Sequence, residues 1–207
     1  MSKNTMPLHK EAWIEELAIK IFNEIEVLTK DKVGVSRESY GKGETISINY
    51  MIDLAKEFGF YIEKDAAANV YLSLEKSTKN NHILIGSHID SVPQGGNFDG
   101  LAGVIAGFLI LVYLKEKKIK TSLPIKLLVL RGEESAWYGK NCIGSKALFG
   151  LISQEDLNSI HRSNGKKLSK AMTESGVKLD QIIKCKTLIN KNEVEAFIEI
   201  HIEQGPI

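Results

Sequence analysis

The sequence predicts a layered α/β domain on three observations. An apolar run from His82 to Gly86 is followed by a long apolar helical stretch, about Leu101 to Lys117, and then by a second apolar run from Ile125 to Leu130. Strand, helix, strand in that order marks a parallel sheet. From Val194 to Glu203 the residues alternate, with Val194, Ala196, Ile198, Ile200 and Ile202 against Glu195, Phe197, Glu199, His201 and Glu203, which is the period of a strand. Polar and ionisable residues also collect where the apolar runs stop, the place where open α/β sheets bind ligands. A chain of 207 residues can bury one large core, so the whole length is read as a single domain.

The remaining elements follow in order. Ile14, Leu17, Ala18, Ile21, Phe22 and Ile25 recur at helical spacing, predicting an amphipathic helix over Trp13 to Leu28. A Gly/Ser-rich stretch, Ser36 to Glu44, separates it from a second helix over Ser47 to Phe58, with Gly59 as its C-cap. Tyr61 to Glu63 and Asn69 to Leu74 read as short strands, the latter alternating through Val70, Leu72 and Leu74. Ile143 to Leu151 and Lys167 to Ser175 read as helices.

Composition removes several classes of function. A formal net charge of +1 asks for neither nucleic acid nor an anionic membrane, and the lysines at 115, 117, 118, 120, 166, 167 and 170 read as solvated helix faces. Two distant cysteines, Cys142 and Cys185, fit buried thiols in a reducing compartment. Met1 to Lys10 lacks the apolar core of a signal peptide, and Leu101 to Leu114 is shorter than the roughly 20 residues of a membrane span. A soluble, cytoplasmic protein is expected.

Three polar clusters carry candidate chemistry. In Gly86-Ser87-His88-Ile89-Asp90-Ser91-Val92-Pro93, His88 leaves a buried strand with Asp90 close behind, so a metal could bind the ring while the carboxylate orients it. A hydrogen-bonded structural histidine is the equal alternative. In Gly95-Gly96-Asn97-Phe98-Asp99-Gly100, Asp99 alone reads first as an N-cap, but it follows His88 by only eleven residues, near enough to share a site. Glu133 and Glu134 follow the strand ending at Leu130, and one could bind a metal while the other serves as general base. A solvated acidic loop, neutralised by Arg131, is the alternative. His201 lies near Gln204-Gly205-Pro206, and histidines with carboxylates suit zinc, manganese and similar cations. His9, His82 and His161 fall outside the pattern. Ser87, Ser91, Ser135 and Cys142 are possible nucleophiles, but none sits in a Gly-x-Ser-x-Gly elbow, and no Walker loop is present.

The segments GSHIDSVPQGGNFDG, RGEESAWYGKNCIGS and IEIHIEQGP together resemble the hydantoinase/carbamoylase family of dinuclear metallohydrolases, within the aminoacylase and carboxypeptidase clan. The resemblance runs from about Ile14 onward. It implies a layered α/β/α zinc-exopeptidase-like catalytic domain, of which residues 1–207 form the N-terminal part. A lid and dimerisation domain and the C-terminal part of the catalytic domain, with a further metal-binding histidine, would lie outside the chain.

The resemblance further implies that His88, Asp99 and His201 hold one divalent metal ion, zinc or manganese, and that Asp99 and Glu134 hold a second in the complete enzyme. One ion is expected in this chain. Glu133 would be the general base, Asp90 would orient His88, and Gln204 would contact the substrate. Ser135-Ala136-Trp137 departs from the residues many members carry after the two acids. The implied reaction is hydrolysis of a linear amide or ureido bond, first of all in an N-carbamoyl-L-amino acid, by a homodimer. Allantoate hydrolysis, an aminoacylase or peptidase activity, and a non-catalytic module with a partial metal site are the alternatives.

Overall fold

The computed structural model describes residues 11–76, 81–184 and 186–203. A five-stranded sheet runs in the order β1-β2-β4-β3-β5, built from β1 (Tyr61–Lys64), β2 (Val70–Ser73), β3 (His82–His88), β4 (Ile125–Leu130) and β5 (Val194–Ile198). β3 is parallel to both β4 and β5, as the strand-helix-strand order predicts, but β2 is antiparallel to β1 and to β4, so the sheet is mixed. The reason for the β1–β2 pairing is local. Only residues 65–69 join these strands, too few for a crossover. Asp65 closes that turn by accepting the amides of Ala67 and Asn69 at 2.8 and 2.9 Å.

One face of the sheet carries the main core. Ile21 and Ile25 of α1 (Ala12–Thr29), Met51 and Ala55 of α2 (Lys42–Glu57), and Phe108 and Leu111 of α3 (Leu101–Glu116) bury against Leu72, Leu127 and Val129. The two predicted helices and the apolar third are therefore all present, and Gly59, at φ +65°, follows α2 in the left-handed conformation a helix end favours in glycine. On the other face Leu84 and Leu128 meet Leu148 of α4 (Ile143–Leu148). A further cluster, with Tyr40, Trp137 and Ile143, joins α4 to α5 (Gln154–Leu157), α6 (Leu168–Glu174) and α7 (Leu179–Ile182). α5 and α7, each four residues long, give too little periodicity to be seen in the sequence. Among the described residues no helix is long and apolar enough to cross a membrane.

Two features of this fold place the polar clusters together. Because α3 crosses over to bring β4 parallel to β3, His88 pairs in register with Leu130, and the loops that follow both strands emerge at the same end of the sheet. The last strand is shorter than its alternation suggests. β5 stops at Ile198, and residues 199–203 leave the ladder. Ser87 Oγ donates to Glu199 Oε1 at 2.6 Å, and the Ile200 carbonyl comes so close to Gly103 that a Cβ there would lie 2.3 Å from it. His201 is thus not on the polar face of a strand. It sits on a segment that crosses the start of α3, beside Asp99.

Candidate metal centre

His88 is the last residue of β3 and is 1% exposed. Its Nδ1 lies 3.0 Å from the Asp90 carbonyl oxygen and 3.3 Å from Asp90 Oδ1, which places the ring proton on that side. Its Nε2 faces His201 Nε2 at 3.3 Å, Asp99 Oδ1 at 3.6 Å and Glu133 Oε2 at 3.9 Å. The ring fits only because residue 100 has no side chain. Gly100 has φ +64°, and a Cβ on it would come within 2.5 Å of His88 Cε1 and Nε2. Gly100→Ala is therefore expected to displace the imidazole and to cost about 1–3 kcal/mol of stability through the strained backbone alone, as a melting experiment would register.

His201 completes the arrangement from the far side. Its Nδ1 turns to the Ile202 carbonyl oxygen at 3.1 Å, and its Nε2 lies 3.2 Å from Asp99 Oδ1. With Nδ1 of each imidazole turned to a carbonyl, the two Nε2 atoms meet at one point beside a carboxylate. Such a meeting is repulsive unless positive charge sits between the nitrogens. One donor atom from each of His88, Asp99 and His201 lies within 4.8 Å of the others. A tetrahedral ion with bonds of about 2.0–2.2 Å holds its donors roughly 3.3–3.6 Å apart, and the separations here are 3.3, 3.6 and 3.2 Å. The three residues fit a divalent cation in spacing and in donor type.

The acids around this point are held by one another's backbone. Asp90, fully buried, accepts hydrogen bonds from Ser39 Oγ at 2.5 Å and from the amides of Glu133 and Glu134, both at 3.0 Å. Burial alone would raise its pKa, but these bonds and His88 hold it below the ordinary carboxylate value. Burial likewise opposes charge on His88, yet Asp90, Glu133 and Asp99 push that group up to about 9. Glu134 is raised to about 7, by burial first and then by Asp99 and Asp90. The site concentrates negative charge and seeks a cation. Glu134 feels the Asp99 carboxylate but is not one of the three clustered donors.

Glu133 is partly exposed, and its Oε1 accepts from Cys142 Sγ at 3.4 Å. Cys142 is half-buried, in a left-handed conformation at the start of α4, not the plain buried thiol expected. Arg131 neutralises neither acid of the pair. It turns back into the protein, with Nη2 2.6 Å and Nε 2.7 Å from Glu44 Oε2. His82 and His161 are buried structural residues. Ser87 and Ser91 spend their hydroxyls on Glu199 and the Val92 carbonyl. Gln204, Cys185 and His9 lie outside the described residues.

The sequence reading missed Arg37, Ser39 and Glu44, all three fully buried. In the sequence they fall in the Gly/Ser-rich stretch before the second predicted helix, where short-range pattern suggests only a connection, although Glu44 lies in the first turn of α2. An arginine and a glutamate within such a stretch are the one available signal.

A family model described as Peptidase family M28 matches residues 69–183. An uncharacterized hydrolase of Haemophilus influenzae is 35% identical over 83% of this chain and 42% of its own length. An N-carbamoyl-L-amino acid amidohydrolase of Geobacillus stearothermophilus is 32% identical over 88% of this chain and 44% of its own. Among solved structures, a hydantoinase/carbamoylase family amidase from Burkholderia ambifaria superposes with a TM-score of 0.79 at 24% identity, covering 93% of this chain and 46% of that one. The chain therefore spans less than half the length of these relatives.

Proposed function

The chain belongs to peptidase family M28 and is related to the hydantoinase/carbamoylase amidohydrolases, and from that premise we propose that it carries the metal centre of an amidohydrolase acting on linear amide or ureido bonds. N-carbamoyl-L-amino acids are the favoured substrate class, with allantoate as the alternative of the same chemistry. The observation that carries the reading is the meeting of His88 Nε2, His201 Nε2 and Asp99 Oδ1 at the separations a divalent cation imposes.

In this reading His88, Asp99 and His201 hold one zinc or manganese ion, and Asp99 and Glu134 contribute to a second. Bound cations supply Lewis acidity, polarising the scissile carbonyl and making a water easier to deprotonate. Glu133 Oε2, 3.9 Å from His88 Nε2, takes the proton of the attacking water and passes it to the leaving nitrogen. Asp90 keeps the His88 proton on Nδ1 and fixes the amides of both glutamates, so the base and the donors share one anchor. Gln204 contacts the substrate. Residues 1–207 serve as the first part of a catalytic domain whose lid, dimerisation surface and remaining metal ligand lie beyond them. The assembled enzyme is a cytoplasmic homodimer.

Supplied with Mn2+ or Zn2+, the chain is expected to release ammonia from an N-carbamoyl-L-amino acid above the metal-free rate. Amine release from N-acetyl amino acids or dipeptides, with no ammonia from the carbamoyl substrate, would reassign the centre to an aminoacylase or peptidase.

A further inference from the structure

Arg37 and Ser39 have no chemical role above, yet the segment carrying them is laid along the loop that presents the donors. Val35 and Gly95 exchange backbone hydrogen bonds of 3.0 and 2.9 Å, and Ser36 Oγ accepts the Gln94 amide at 2.9 Å. The Arg37 amide donates to Ser91 Oγ and its carbonyl accepts from the Ser91 amide, both at 3.0 Å. Ser39 then reaches Asp90.

The Arg37 guanidinium is 0% exposed and forks between two chain segments. Nε donates to the Ile89 carbonyl at 2.6 Å, next to His88, while Nη1 and Nη2 donate to Oδ1 and the carbonyl of Asn97 at 3.0 and 3.3 Å, two residues before Asp99. Asn97 is fastened in turn, donating from Nδ2 to the Phe22 carbonyl of α1 at 3.0 Å. A guanidinium is planar and rigid, so its fork sets a distance that a flexible ammonium cannot. Its charge, close to Asp90, Asp99 and Glu134, works against cation uptake. Geometry, not field, is what this residue can offer the site.

We propose that Arg37 and Ser39 are positioning residues of the metal centre. Arg37 fixes the spacing between the segments bearing His88 and Asp99, and Ser39 holds Asp90 where it orients His88 and anchors Glu133 and Glu134. The inference rests on the metal-centre reading given above.

Calorimetric titration of the 207-residue chain with Zn2+ tests it. Arg37→Lys keeps the charge and removes the fork, and is expected to weaken binding about 10–100-fold, the usual loss when a ligand's supporting group is removed. Ser39→Ala should weaken binding in the same direction, and Ser39→Thr, which keeps the hydroxyl, should restore it. Hydrogen exchange of the metal-free Arg37→Lys chain should rise in residues 89–99 while α1 to α3 stay protected. If Arg37→Lys does not fold, Asn97→Ala, which removes one end of the fork, takes its place. Wild-type affinity in folded Arg37→Lys and Ser39→Ala overturns this inference alone, as does tighter binding in Arg37→Met, which would mean that charge dominates. A wild-type chain that takes up no Zn2+ overturns the metal-centre reading beneath it.

Discussion

Glu133→Gln is expected to slow hydrolysis by about 10²–10⁴-fold, the range that a positioned general base contributes, while ion uptake stays at the wild-type level. The substitution keeps the shape of the side chain and leaves its backbone in place. The residue's amide still donates to Asp90 Oδ1 and its carbonyl still accepts from the Cys142 amide at 2.8 Å. What is lost is a carboxylate able to take a proton beside the two Nε2 atoms. Glu133 is also outside the group of three clustered donors, so the ion should not register its replacement. Ammonia release and calorimetry on the same preparation check the two halves. An unchanged rate removes Glu133 from the mechanism, and loss of the ion makes it a ligand instead.

Glu44→Ala should produce the largest loss of stability. Glu44 is fully buried and accepts from Arg131 Nε at 2.7 Å, the Tyr40 amide at 2.7 Å and the Gly132 amide at 2.8 Å. Arg131 is itself buried, with Nη2 also donating to Thr45 Oγ1 at 2.8 Å and its guanidinium carbon 4.8 Å from the centre of the Tyr40 ring. Removing one partner of a buried pair costs about 3–5 kcal/mol, because the other charge stays behind uncompensated. In a domain of this size each kcal/mol moves the melting temperature by roughly 2–4 °C, so a fall of about 10 °C is expected by circular dichroism. The turn at Gly132 precedes Glu133 directly, so activity should drop further than the melting temperature alone explains. A melting temperature within about 2 °C of wild type would mean that the pair is not what holds this turn.

The order strand, helix, strand was legible because β3, α3 and β4 are each buried continuously enough to dominate their local composition. From that order alone the parallel pairing follows, and with it the meeting of the His88 and Glu133 segments at one end of the sheet. His88, Asp99 and His201 lie close together, but His201 arrives by a different route from the one its alternation suggests. Alternation from residue 194 to 203 reads as one strand, whereas Ile198, Ile200 and Ile202 are all substantially exposed. The contacts that end the strand, Glu199 with Ser87 and Ile200 with Gly103, are made to residues about a hundred positions away. No periodicity within the strand encodes them. The same holds for Arg37, Ser39 and Glu44, whose partners Ile89, Asp90 and Gly132 lie 51 to 88 residues along the chain. The alternative in which Arg131 neutralises the two acids fails for the opposite reason. The arginine's nearest acids in sequence are Glu133 and Glu134, but proximity along the chain does not turn a side chain outward when a buried carboxylate waits behind it.

The central claim is that His88, Asp99 and His201 form one cation site, and calorimetric titration of the metal-free chain with Zn2+ tests it most directly. The account predicts one tightly held ion per chain, with His88→Ala, Asp99→Ala and His201→Ala each weakening it by more than the roughly 100-fold that loss of a supporting group alone can cause. Uptake of Zn2+ that is unaffected by all three substitutions, or no uptake by the wild-type chain, would contradict it.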